Sequence, residues 1–174
     1  MEKHTLIALM ENKPGVLNRV SGLFRRRNYN IESLSVGHSE TPGISRMTIV
    51  LHGDDRIVEQ VVKQLEKLIN VTEVTEVSYV DTVFRELALI KVNAGPGKRS
   101  EIIELTSVFR ARVVDVGATS LTVEITGPES RVNSLIGLLE PYGITELART
   151  GRVAMVRSSN GHSNGNGGGY TAEL

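Results

Sequence analysis

Asn12, Pro14, Gly15, Val16 and Leu17 fall together in the stretch ENKPGVLNRV, and Asn30 and Ile31 follow in NYNIESL. Residues of these types can hold a small zwitterion. A helix starting at this loop exposes peptide N–H groups with no acceptor inside the helix, and such groups attract carboxylates. Gly15 has no Cβ to keep an anion from the peptide nitrogens of Gly15, Val16 and Leu17. The side-chain oxygen of Asn30 can accept from an ammonium group. Val16, Leu17 and Ile31 can flank a short aliphatic side chain. The same residues also suit an ordinary helix start, with Asn12 as N-cap and Pro14 at the first helical position. Residue types alone leave both readings open.

The magnitudes suit a free amino acid. Charge-assisted hydrogen bonds contribute roughly 1.5–3 kcal/mol each, and burial of an aliphatic side chain roughly 1.5–3 kcal/mol more. After association and ordering costs, about −4 to −8 kcal/mol remains, which corresponds to millimolar to micromolar affinity.

Bond-making chemistry finds no support. His4, His38, His52 and His162 share no motif with Ser and Asp, or with carboxylates at metal-ligand spacing, so neither catalytic nor metal-binding residues are expected. GPGKRS (95–100) hints at a phosphate loop, but the required upstream glycine is Val92, and Arg99 replaces the Ser or Thr after Lys98. A turn entering a helix accounts for it better. With no cysteine in the chain, disulfides, thiolate metal sites and thiol nucleophiles are all excluded.

Lys and Arg number 20 against 20 Asp and Glu, which gives no electrostatic case for nucleic acid or an anionic membrane. The strand SRMTIVLHG has no aromatic residue on which a base could stack, and Arg25–Arg27 read as cations complementing a helix C-terminus. No apolar run approaches the roughly 20 residues a membrane span needs. MEKHTLIALM lacks a signal-peptide layout, so a cytoplasmic protein is the expectation.

The elements that must position these residues follow from hydrophobic period. HTLIALM (4–10) reads as a strand, and Val16, Leu17, Val20, Leu23 and Phe24 form a helical stripe. NIESLSVGHS and ISRMTIVLHG read as strands joined by ETPG, the second with Met47, Ile49 and Leu51 on one face. GDDRIVEQVVKQLEKLI is a capped helix with Val58, Val61, Leu65 and Leu68 in register, and VTEVTEVSYV closes a βαββαβ unit. The order then repeats. RELALIKVNA, a helix marked by Ile102, Leu105, Thr106 and Phe109, the hairpin RVVDVG/SLTVEITG, a helix marked by Val132, Leu135, Ile136 and Leu139, and a last strand in ITELARTGRVAM follow in turn.

The echo of GLFRRR in SVFRAR, and of TIVLHG in LTVEITG, supports duplication. The expected fold is α+β: two tandem ferredoxin-like (βαββαβ) domains, 4–79 and 80–157, with antiparallel sheets and helices on one face. Residues 158–174, rich in Gly, Asn and Ser, are expected to be a disordered tail.

HTLIALMENKPGVLNRVSGLFRRRNYNIESLSVG, with FRARVVDVG and ELARTGRVAM in the same order, resembles the regulatory (small) subunit of acetolactate synthase over about residues 3–157. The resemblance implies an N-terminal ACT domain, a second ACT-like domain, and a homodimer joined edge to edge through the N-terminal domains. It implies that valine or a related branched-chain amino acid sits at that interface, on Asn12, Gly15, Val16, Leu17, Asn30 and Ile31. It implies a non-catalytic partner of the large subunit, which would itself carry thiamine diphosphate, magnesium and FAD and would be activated and made feedback-sensitive. An amino-acid-sensing ACT module serving another pathway is the alternative. The counterpart loop in the second unit, NAGPGKRSEI, keeps Pro-Gly but not the rest, which leaves the effector with the first unit. The unpaired edge of ESLSVG gives dimerisation a physical motive, since little charge blocks strand addition there.

Overall fold

The computed structural model describes residues 2–158; residues 159–174, nearly all of the expected tail, lie outside it. The first unit runs β1 (Glu2–Glu11), α1 (Val16–Arg27), β2 (Ile31–His38), β3 (Ile44–Gly53), α2 (Asp55–Glu66) and β4 (Val71–Glu76). Its antiparallel sheet has the order β2-β3-β1-β4. Leu6, Ala8 and Met10 alternate with Thr5, Ile7 and Leu9 along β1, so one face meets the helices. There Val16, Val20, Leu23 and Phe24 of α1, and Val58, Val61 and Leu65 of α2, close a core over Met47, Ile49 and Leu51.

The helix ends follow from local chemistry. The Asp54 carboxylate accepts from the Ile57 N–H at 2.9 Å and caps α2. Arg25, Arg26 and Arg27 occupy the last turn of α1, and left-handed Asn28 ends it. Leu17 departs from the expected stripe: it is 47% exposed while Val16 is 5%. Leu68 falls just past α2 yet still packs on the core.

The second unit comprises β5 (Thr82–Asn93), α3 (Arg99–Val108), β6 (Arg112–Val116), β7 (Ser120–Gly127), α4 (Glu129–Leu139), β8 (Ile144–Arg149) and β9 (Val153–Val156). Its sheet order, β6-β7-β5-β8, repeats the first. Ala88, Ile90 and Val92 with Leu121, Val123 and Ile125 face Ile102, Val132, Leu135 and Leu139 beneath α3 and α4. Two tandem ferredoxin-like α+β units, expected from the sequence, are what the chain forms.

The last strand differs from expectation. ITELARTGRVAM does not run straight but breaks at Gly151, whose φ of 76° few side chains tolerate. β8 pairs with the later part of β5, whereas β9 pairs with its first residues, Thr82–Arg85. The break lets β9 lie under the first sheet. Ile7, Val77 and Ala154 are buried there with Phe84 alongside, and Arg46 donates to the Ala154 carbonyl at 3.1 Å. The helix-free face of the first sheet is therefore covered, with Thr5, Thr48 and Val50 all buried.

Candidate functional site

The loop before α1 is a β-turn rather than a capped helix start. Pro14 and Gly15 occupy its centre, the Val16 N–H approaches the Lys13 carbonyl at 3.4 Å, and Gly15 has φ 84° and ψ −11°. Those values are the third position of a type II turn, for which Pro-Gly is the preferred pair. Two expectations are corrected. Pro14 is not the first helical residue, because Gly15 stands at the cap and Pro14 precedes it. Asn12 is not the N-cap; its N–H donates to the Gly43 carbonyl at 2.8 Å, and its amide lies 3.4 Å from His38 Nδ1.

The turn leaves the helix start open. Among the described residues, the N–H groups of Gly15, Leu17 and Asn18 meet no acceptor. Nothing lies within 4 Å of where a Cβ on Gly15 would sit. Asn70 holds the surroundings still: its amide donates to Glu11 at 2.5 Å, and Arg19 donates to its oxygen at 2.8 Å. Of the apolar residues expected beside a ligand, Val16 belongs to the core and Ile31 packs against it, while Leu17 faces outward.

Within one chain the expected residues do not meet. α1 has 12 residues, so at 1.5 Å per residue it is about 18 Å long. Asn12–Leu17 stand at its start. Asn30 and Ile31 follow its end, and β2 returns from there to His38, beside Asn12. β2 is the edge of its sheet and carries half-exposed Val36.

The second domain repeats the turn with a cation beside it. Gly97 has φ 88°, and the Lys98 N–H donates to the Gly95 carbonyl at 3.1 Å. Arg99, at the place Leu17 holds, folds back onto the carbonyls of Gly117 at 2.8 Å and Ala118 at 3.0 Å. A guanidinium therefore occupies the hairpin beside that helix start.

Charges that sequence spacing did not reveal join the two domains. Lys3 on β1 donates to Glu32 at 2.6 Å and to Glu129, at the start of α4, at 2.8 Å. Glu129 also accepts from Arg152 at 2.7 Å, and Arg152 donates to Thr5 at 3.0 Å. Hydrogen bonds from Lys3 and then Arg152, against the opposing effect of burial, hold the Glu129 carboxyl below its ordinary range. Burial acts to lower the Lys3 pKa, but its bonds to Glu129 and Glu32 leave it raised. The Arg149 guanidinium grips Glu86 with two bonds, at 2.5 and 2.7 Å. Glu32, Glu86, Glu129, Arg149 and Arg152 line a cavity of about 400 Å³ between the domains.

Two βαββαβ units in tandem, each with a Pro-Gly turn leading into its first helix, and the first with an edge strand beside that turn, define a tandem ferredoxin-like protein of the ACT type. Residues 6–73 match the model of the AHAS small subunit-like ACT domain, and residues 85–158 that of the small subunit of acetolactate synthase. A probable acetolactate synthase small subunit from Archaeoglobus fulgidus is 59% identical over 90% of this chain and 98% of its own. The Mycobacterium bovis acetolactate synthase small subunit is 52% identical over 91% and 94%. The crystal structure of the Thermotoga maritima small subunit superposes with a TM-score of 0.86 at 44% identity, covering 91% of this chain and 99% of that one. The chain belongs to the acetolactate synthase small-subunit family. Among the described residues, no helix is long and apolar enough to cross a membrane.

Proposed function

We propose that this chain is the non-catalytic regulatory subunit of acetolactate synthase, and that it senses valine or a related branched-chain amino acid at a site shared by two copies. The observation that carries this reading is the separation of Asn12–Leu17 from Asn30–Ile31 by the length of α1. Antiparallel pairing of β2 with its copy across a two-fold axis lays the start of one strand against the end of the other. One copy's Asn30 and Ile31 then arrive beside the other copy's His38 and Asn12. The helix start of the first copy receives the effector carboxylate, and Asn30 of the second receives its ammonium. Leu17 and Ile31 flank the side chain.

Binding in this way couples effector energy to the arrangement of two subunits. Bound to the catalytic subunit, the protein raises that subunit's activity and makes it subject to feedback inhibition in branched-chain amino acid synthesis. The thiamine diphosphate, magnesium and FAD of the reaction reside in the catalytic subunit, and no cofactor is assigned to this chain. Its place of action is the cytoplasm.

Calorimetry of valine into the full chain, followed by valine titration of the reconstituted two-subunit enzyme, tests the reading. The expected result is millimolar to micromolar binding together with loss of activity on titration. Failure of the chain to bind any branched-chain amino acid would overturn it.

A further inference from the structure

Strand β2 has a bulge directly after the two residues assigned to the effector. Its register against β3 shifts between Ile31 and Ser33, so Glu32 is the extra residue. A bulge re-aims a side chain and leaves a strand locally adjustable. Here it turns Glu32 toward Lys3, at 2.6 Å, and His52 Nε2, at 2.5 Å. Lys3 is the same ammonium that holds Glu129 of the second domain at 2.8 Å. One residue further on, Ser33 meets the turn between β8 and β9. A Cβ built on Gly151 would lie 2.8 Å from the Ser33 Cβ and 3.2 Å from its Oγ. The Arg152 N–H approaches that Oγ at 3.5 Å, and the Arg152 guanidinium sits 4.9 Å from the Phe84 ring centre while bonded to Glu129. The segment Asn30–Ser33 thus runs from the two residues assigned to the effector straight to a contact with the second domain, with no intervening element.

We propose that the Glu32–Ser33 bulge couples the effector site to the second domain, by bearing on Gly151 directly and on Glu129 and Arg152 through Lys3. The proposal deepens the effector reading and rests on it for the identity of the ligand, though not for the coupling itself. When two copies share the site, an effector held by one copy's helix start is read through the other copy's bulge into that other copy's second domain. Lys3, Glu32, Glu129 and Arg152 are positioning residues that touch no ligand.

Hydrogen exchange on the full chain tests the coupling with and without ligand. Without ligand, Glu129→Gln and, separately, Gly151→Ala perturb the second-domain side. Both are expected to speed exchange at Ile31–Ser33 by about tenfold, as a local opening of that segment, while exchange at Val123 in the core of β7 stays unchanged. Gly151→Ala must also open its contact with Ser33, so Glu129→Gln serves as the milder variant if Gly151→Ala misfolds. With valine, the wild-type chain is expected to gain protection at Ile31–Ser33 and at Val153–Val156, and Glu129→Gln to gain it only at the first. Unchanged exchange at Ile31–Ser33 in the ligand-free Glu129→Gln chain would overturn the coupling. A wild-type chain whose exchange ignores valine, while the ligand-free variants still respond, would overturn the effector reading and leave the coupling supported.

Discussion

The Lys3 ammonium lies 2.8 Å from the Glu129 carboxylate, joining the first strand of one domain to the start of α4 in the other across 126 residues of chain. Both groups are about three-quarters buried, with side-chain exposures of 27% and 29%, and Arg152 completes the junction.

This junction sets a pH window. Glu129 has a folded pKa below its ordinary 4.5, so its stabilising effect is present above that value and is lost as pH falls through the lower folded value. Lys3 has a folded pKa above its ordinary 10.5, so its effect is present below 10.5 and is lost as pH rises through the higher one. Thermal unfolding followed from pH 3 to 8 is expected to show the wild-type chain losing stability below about pH 4.5. Glu129→Gln should lose less over the same range. Parallel curves for the two chains would show that the junction contributes nothing.

Tyr79 offers a spectroscopic check on the same end of the molecule. Its hydroxyl donates to Glu2 at 2.9 Å and reaches Asp55 at 3.3 Å. The hydrogen bond to Glu2, followed by burial and the negative charge of Asp55, pushes its pKa up to about 12. Absorbance titration should show a late-ionising phenol, and Tyr79→Phe should remove it. Because the folded value is raised, the neutral phenol favours the fold, and this contribution disappears as pH climbs from 10 through 12.

Val16 and Leu17 are neighbours with opposite fates. Val16→Ala is expected to cost about 2 kcal/mol, since Val16 lies in the core. Leu17→Ala should change stability by less than about 0.5 kcal/mol but weaken valine binding. Denaturant melts and calorimetry on both variants read the two effects separately. Loss of stability in Leu17→Ala with unchanged binding would place that side chain in the core instead.

Gly15 separates backbone strain from charge. With φ at 84°, any side chain there costs about 1–2 kcal/mol. Gly15→Ala and Gly15→Asp should therefore melt at similarly lowered temperatures. Only Gly15→Asp should abolish valine binding, because its carboxylate occupies the place of the ligand's. Equal loss of binding in both would assign the effect to the turn rather than to repulsion.

Much of the fold could be read from side-chain period, because Val58, Val61 and Leu65 or Met47, Ile49 and Leu51 can bury together in only one kind of element. Asp54 was readable as a cap for the same local reason. Pro14 was not, because proline suits both a first helical turn and the second place of a type II turn, and Gly15 at φ 84° decided for the turn. ITELARTGRVAM read as one strand because a single glycine between short apolar-polar runs does not by itself announce a break; the need for glycine at 151 follows from its φ of 76° and from the close approach of Ser33, far earlier in the chain. The candidate site was legible as residue types. That Asn12 and Asn30 lie at opposite ends of α1 depends on the helix length and on β2 running back beside it, which a list of suitable residues does not contain. The Lys3–Glu129–Arg152 junction had no local signature at all.

The shared site is tested most directly by co-expressing Gly15→Asp and Asn30→Ala chains and titrating the purified mixture with valine. Each variant alone should fail to bind. In a mixed dimer, the helix start of the Asn30→Ala chain meets the intact Asn30 of the Gly15→Asp chain, so one working site returns and calorimetry should recover binding at near wild-type affinity. If mixed dimers form and bind no valine, the site lies within a single chain and sensing across two copies is contradicted.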